Sequence, residues 1–158
     1  MHGEIGNNAR IAALASRSRD VAVLRLSELG RAQIAARVRE AYPREACGLL
    51  LGEQRGASLE VVAVRAARNL SARADGFELD PSDQLAAERE AERLGTAVCG
   101  VWHSHPDRAA VLSPRDRAAA WDRWANLVVA VDARGVLEMR AWRVLDARTS
   151  TELAVSIE

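Results

Sequence analysis

Two short, unbroken apolar runs constrain this chain more than anything else in it: Cys47-Gly-Leu-Leu-Leu-Gly52 and Thr96-Ala-Val-Cys-Gly-Val-Trp102. Runs of this length without polar interruption read as strands buried on both faces, not as strands with one wet side. Helical patterns separate them. Ser27, followed by Glu28, opens a helix to about Tyr42, with Leu29, Ile34, Val38 and Tyr42 near helical spacing and Pro43 as the break. Asp80-Pro-Ser-Asp83 opens a second, capped by Asp80 or Ser82 and stopped after Leu94 by Gly95. Ser113-Pro114 opens a third, expected to reach about Trp124. Further strands are expected at Val21–Leu26, Leu59–Ala67, Phe77–Leu79, Leu127–Val131, Val136–Val144 and Leu153–Ile157. Strands and helices that interleave in this way imply a layered α/β domain with a mixed sheet over residues 21–158. Residues 1–20 are polar, mixed and without sustained period, and read as a flexible N-terminal tail.

The composition removes several classes of function. The chain has 158 residues, the length of one domain. Lys+Arg and Asp+Glu each number 22, so the net charge is zero. A general nucleic-acid binder is expected to carry a basic surplus, so no nucleic-acid partner is expected. No apolar stretch approaches the roughly 18 residues that would cross a membrane. Ile11–Ala15 is too short for a secretory core. Cys47 and Cys99 are far apart and read as small buried hydrophobes, not as a disulfide framework. The expected compartment is the cytoplasm.

The chemistry concentrates in His103-Ser104-His105-Pro106, followed by Ser113 and Asp116. Histidines two apart on an extended chain project to the same side, so both can face one ion. Ten residues lie between His105 and Asp116. A carboxylate near a helix start can swing back over the end of a strand and supply a third ligand. Two histidines and a carboxylate with an open fourth position describe a catalytic zinc site, with Zn–N expected near ~2.0–2.1 Å, and mixed N/O ligands of this kind also tolerate other divalent metals. Hydrolysis also needs a proton carrier that is not a ligand. Glu45, just before the run at Cys47, is the candidate, provided its strand lies beside the histidine strand. Ser113 can cap its helix and also turn its hydroxyl toward an oxyanion.

Glu45-Ala-Cys-Gly-Leu-Leu-Leu-Gly52, Val101-Trp-His-Ser-His-Pro106 and Ser113-Pro-Arg-Asp116 together resemble the JAMM motif of the JAB1/MPN metallopeptidase family. Phe77-Glu-Leu-Asp-Pro81 resembles its short bacterial members, which act on ubiquitin-like sulfur-carrier proteins. The resemblance implies a three-layer α/β fold similar to cytidine deaminases, with a curved mixed sheet between helices. It implies one Zn²⁺ per chain held by His103, His105 and Asp116, with Glu45 as general acid/base and Ser113 steadying the tetrahedral intermediate. It implies hydrolysis of a peptide or isopeptide bond after the C-terminal Gly-Gly of a ubiquitin-like protein, whose tail adds along a sheet edge near Phe77–Asp80. The alternative is a non-catalytic scaffold of the same family, and the assembly is left open between monomer and homodimer. A nucleoside deaminase is not expected, because His-x-Glu and Pro-Cys-x-x-Cys are absent.

Overall fold

Residues 21–158 are described by the computed structural model; the expected tail over 1–20 lies outside them. In chain order the elements are β1 (Val23–Leu26), α1 (Glu28–Ala41), β2 (Cys47–Arg55), β3 (Ser58–Ala67), α2 (Pro81–Arg93), β4 (Ala97–Pro106), α3 (Pro114–Ala119), β5 (Ala125–Asp132), β6 (Gly135–Val144) and β7 (Ser150–Ile157). Local chemistry sets most boundaries close to where the sequence places them. Ser27 accepts the Gly30 N–H and starts α1. Asp80 rather than Ser82 caps α2, accepting the Ser82 N–H at 2.8 Å. Gly95 stops that helix with φ +71°, a conformation that costs a residue without Cβ little.

Two expected elements differ. The third helix ends at Ala119, not near Trp124. Its six residues bury none of their side chains, so no apolar face rewards its continuation. Ala120 turns to extended backbone, Trp121 stacks on Trp124 with centroids 4.9 Å apart, and the chain enters β5. Phe77–Leu79 is not a ladder strand either. It makes one bridge, between Leu79 and Asn69, because side-chain bonds from Asn69 take the places that ladder bonds would fill.

The strands join in the order β1-β3-β2-β4-β5-β6-β7, and β1 also pairs with β7, so the sheet closes on itself. β2 is antiparallel to β3 and to β4, β4 is parallel to β5, and β1 is parallel to both of its neighbours. The sheet is therefore mixed and curved, as expected. The run at Cys47 has its anticipated two-sided burial. Leu50 joins Ile34 and Val38 of α1 with Trp102 and Leu127 in the main core. Leu49 and Leu51 meet Ala87 and Ala91 of α2 on the opposite face. Helices thus cover both faces of an α/β domain. Among the described residues no helix is long and apolar enough to cross a membrane.

Gly48 is required where β2 threads between its neighbours. Its register partner on β4 is Trp102, whose indole N–H donates to the Arg65 carbonyl on β3 at 3.1 Å. A Cβ at position 48 would lie 2.1 Å from that carbonyl oxygen and 2.4 Å from the indole ring. Gly48→Ala is expected to cost about 3 kcal/mol, the upper part of the range for over-packing a core. The check is a lower urea midpoint at unchanged m-value.

Candidate metal centre

The β2–β4 register decides where the polar residues meet. Cys47 pairs with His103, and one residue further the Ser104 N–H donates to the Ala46 carbonyl at 3.0 Å. The Ser104 hydroxyl accepts the Ala46 N–H at 2.8 Å. Glu45 therefore arrives beside the histidine strand, as the sequence reading required. Glu45, His103 and His105 are all essentially sealed from solvent, with exposures of 2%, 0% and 1%. Each offers a donor atom within 4.8 Å of the other two.

Asp116 comes closer still to the imidazoles. Its Oδ2 lies 3.4 Å from His103 Nε2 and 3.2 Å from His105 Nε2, and the two Nε2 atoms are 3.0 Å apart. Donor atoms around a tetrahedral ion with bonds of ~2.0–2.1 Å stand about 3.3 Å from one another, so this triangle fits a small divalent cation. The His105 Nδ1–H donates to the Ala109 carbonyl at 2.9 Å, which leaves Nε2 with its lone pair facing the triangle. Burial lowers the His103 pKa and favours its neutral, ligating form.

Ser113 caps α3 in a reciprocal box. Its hydroxyl accepts the Asp116 N–H at 3.0 Å, and its own N–H donates to Asp116 Oδ2 at 2.9 Å. The cap uses the hydroxyl as an acceptor and leaves its proton available to donate. Burial opposes the charge on Asp116, but the adjoining His103 and His105 imidazoles and the Ser113 amide, which donates to Oδ2, hold its carboxyl far below the usual range.

Three residues of the site have contacts there that the sequence reading does not assign. Arg108 reaches Glu45 Oε2 at 3.4 Å from a loop whose composition says nothing of that contact. Phe77 lies face to face with His103, centroids 4.4 Å apart, whereas the sequence reading places its segment beside the substrate's tail. Ser104 sits between the two histidines and faces away from them by the two-residue period of a strand, which could have marked it as the contact to the neighbouring chain segment.

Residues 28–145 match the family of prokaryotic homologs of the JAB domain. The chain belongs to this family. As a JAB-domain protein it is 31% identical over 114 residues to the desampylase of Pyrococcus furiosus, covering 72% of this chain and 76% of that one. It is 30% identical over 118 residues to the desampylase of Haloferax volcanii, covering 73% and 80%. A solution structure of a protein from Desulfitobacterium hafniense matches the fold with a TM-score of 0.75 at 26% identity, over 85% of this chain and 92% of that one. One from Salinibacter ruber matches with a TM-score of 0.59 at 29% identity, over 80% and 88%. The JAB fold read from the sequence is therefore the fold of the molecule.

In this JAB domain both Glu45 oxygens are buried, and among the described residues neither has a hydrogen-bond partner. Burial pushes the carboxyl up to about 7, against the opposing charge of Arg108. A raised carboxyl favours the native state least where it is ionised. Metal-stripped Glu45→Gln is thus expected to be more stable than metal-stripped wild type at pH 8, by about 2–3 kcal/mol. The difference should close as the pH falls through about 7 toward the ordinary 4.5 of a free glutamate. Urea unfolding of the two chelated proteins at pH 8 and pH 4.5 checks it.

Proposed function

We propose that this JAB-domain chain is a zinc-dependent hydrolase that cuts a peptide or isopeptide bond after the C-terminal Gly-Gly of a ubiquitin-like protein. The observation that carries this reading is the triangle of His103 Nε2, His105 Nε2 and Asp116 Oδ2, 3.0–3.4 Å on a side, with the buried Glu45 carboxylate beside it, which has no hydrogen-bond partner among the described residues. The distances favour Asp116 over Glu45 as the third ligand. Glu45 then stands outside the ligand set and within reach of what the ligands hold. A divalent ion there supplies Lewis acidity toward water and toward an amide carbonyl.

The chain's own groups do the rest. Glu45 takes a proton from the attacking water and delivers it to the departing amine. In the metal-free chain burial raises this carboxyl to about 7; a bound cation would act in the opposite sense, favouring the ionised form that takes up the water's proton. The free proton of the Ser113 hydroxyl is the donor for the developing oxyanion. Phe77 and the Ala109 carbonyl fix the planes of His103 and His105. The name of the two relatives, desampylase, supports release of a ubiquitin-like modifier as the reaction class.

A cavity of about 410 Å³ opens at His103 and Asp116, between Phe77 and Leu79 on one side and Ala119 and Trp121 on the other. Glu45, which hands its proton to the amine, is not among its walls. The acyl side of the bond, and hence the substrate's tail, belongs in this cavity.

Glu45→Gln is expected to keep one metal per chain by elemental analysis and to lose cleavage of a ubiquitin-like Gly-Gly fusion by at least about 10²-fold, within the range for a lost general base. His103→Ala is expected to lose the metal itself. Full cleavage by Glu45→Gln, or a wild-type chain that takes up no metal, sinks the reading; the second outcome returns the chain to the scaffold class.

A further inference from the structure

We propose that Asn69 is a positioning residue whose single carboxamide sets Glu45 and Phe77 in a fixed relation to His103. The inference rests on the reading of Glu45 as the proton carrier and deepens it.

Asn69 lies two residues beyond the end of β3. Its Nδ2 donates to the Glu45 carbonyl and to the Gly76 carbonyl, each at 3.0 Å. Its Oδ1 accepts the Ser71 N–H and the Glu78 N–H, each at 3.0 Å. A carboxamide has two donor hydrogens and two acceptor lone pairs. All four are used. One bond, to Ser71, is the local turn that asparagine commonly makes. The other three reach segments 7, 9 and 24 residues away.

Their targets matter more than their number. The Glu45 carbonyl and the Ala46 N–H belong to one peptide plane. Asn69 holds its oxygen and Ser104 Oγ holds its hydrogen. With both ends held, the plane cannot rotate, and the direction in which Glu45 leaves the backbone is set. This counts because, among the described residues, the Glu45 carboxylate has only the 3.4 Å ion pair to Arg108 to hold it from its far end. The second pair of targets, the Gly76 carbonyl and the Glu78 N–H, flank Phe77 on either side. The same amide thus fixes the backbone that lays the Phe77 ring on His103.

Two variants separate positioning from simple loop folding. Asn69→Asp keeps an acceptor for Ser71 and Glu78 but presents an oxygen to the Glu45 and Gly76 carbonyls. Asn69→Ala removes all four bonds. In metal-free protein, the Ala46 amide is expected to exchange with solvent about tenfold faster in both variants, with the Val101 amide in the middle of β4 unchanged. In zinc-loaded protein, with a ubiquitin-like protein ending in Gly-Gly fused to a reporter as substrate, kcat is expected to fall about 10–100-fold in Asn69→Asp. KM and zinc affinity should stay within about threefold, since the ligands themselves are untouched. Wild-type exchange at Ala46 in both variants overturns the proposal, whatever the activity. So does a wild-type kcat in Asn69→Asp when Glu45→Gln is inactive. If Asn69→Ala does not fold, Asn69→Asp decides alone. Full activity in Glu45→Gln instead overturns the role of Glu45, and the exchange measurement still judges the clasp.

Discussion

β2 and β4 lie antiparallel with Cys47 opposite His103, and everything at the site depends on that register. Ala46 and Ser104 are 58 residues apart in sequence, yet they exchange two hydrogen bonds at the mouth of the pairing. That contact carries Glu45 to the histidines. Strand geometry leaves little latitude, because a slip of one residue would turn the imidazoles to the opposite face of the sheet. Gly48 makes the close approach possible, since the Trp102 indole crosses the strand where any side chain would stand. The catalytic reading and the packing of the core thus share one constraint.

The centre is a place where the chain departs from its own stability rules. Three ionisable groups are sealed from water, and the Glu45 oxygens and His103 Nδ1 find no hydrogen-bond partner among the described residues. Buried polar groups without partners cost free energy, and such departures concentrate where chemistry is done. A cation held by His103 Nε2, His105 Nε2 and Asp116 Oδ2 would offset the crowding of those three atoms and would set a positive charge beside the buried Glu45 carboxylate. Arg108 and Asp116 act in opposite senses on Glu45, the first lowering its pKa and the second raising it.

The surroundings show how little regular structure a site of this kind needs. α3 is six residues long and serves to hold Ser113 and Asp116 in a reciprocal cap. The segment from Ser71 to Leu79 is not a ladder strand, but side-chain bonds from one asparagine give it a fixed shape. Between these two irregular pieces lies the apolar cavity that reaches His103 and Asp116. The rigid sheet supplies the histidines, and the loops supply the groups around them.

Much of this was legible in the chain itself. The continuous apolar run at Cys47 specifies two-sided burial, and alternation then sends Leu50 to one layer and Leu49 and Leu51 to the other, whereas the run expected to be buried from Thr96 is buried only from Gly100 on. The His-x-His spacing puts both imidazoles on one face, and Ser113-Pro114 announces a helix start with Asp116 in its first turn. These are local properties, set by backbone period and capping chemistry within a few residues. The end of α3, the single bridge at Leu79, the Arg108 contact and the four bonds of Asn69 were not legible. Each depends on which distant backbone or side chain stands opposite, and that is fixed only when the sheet closes and long-range partners compete for the same donors and acceptors.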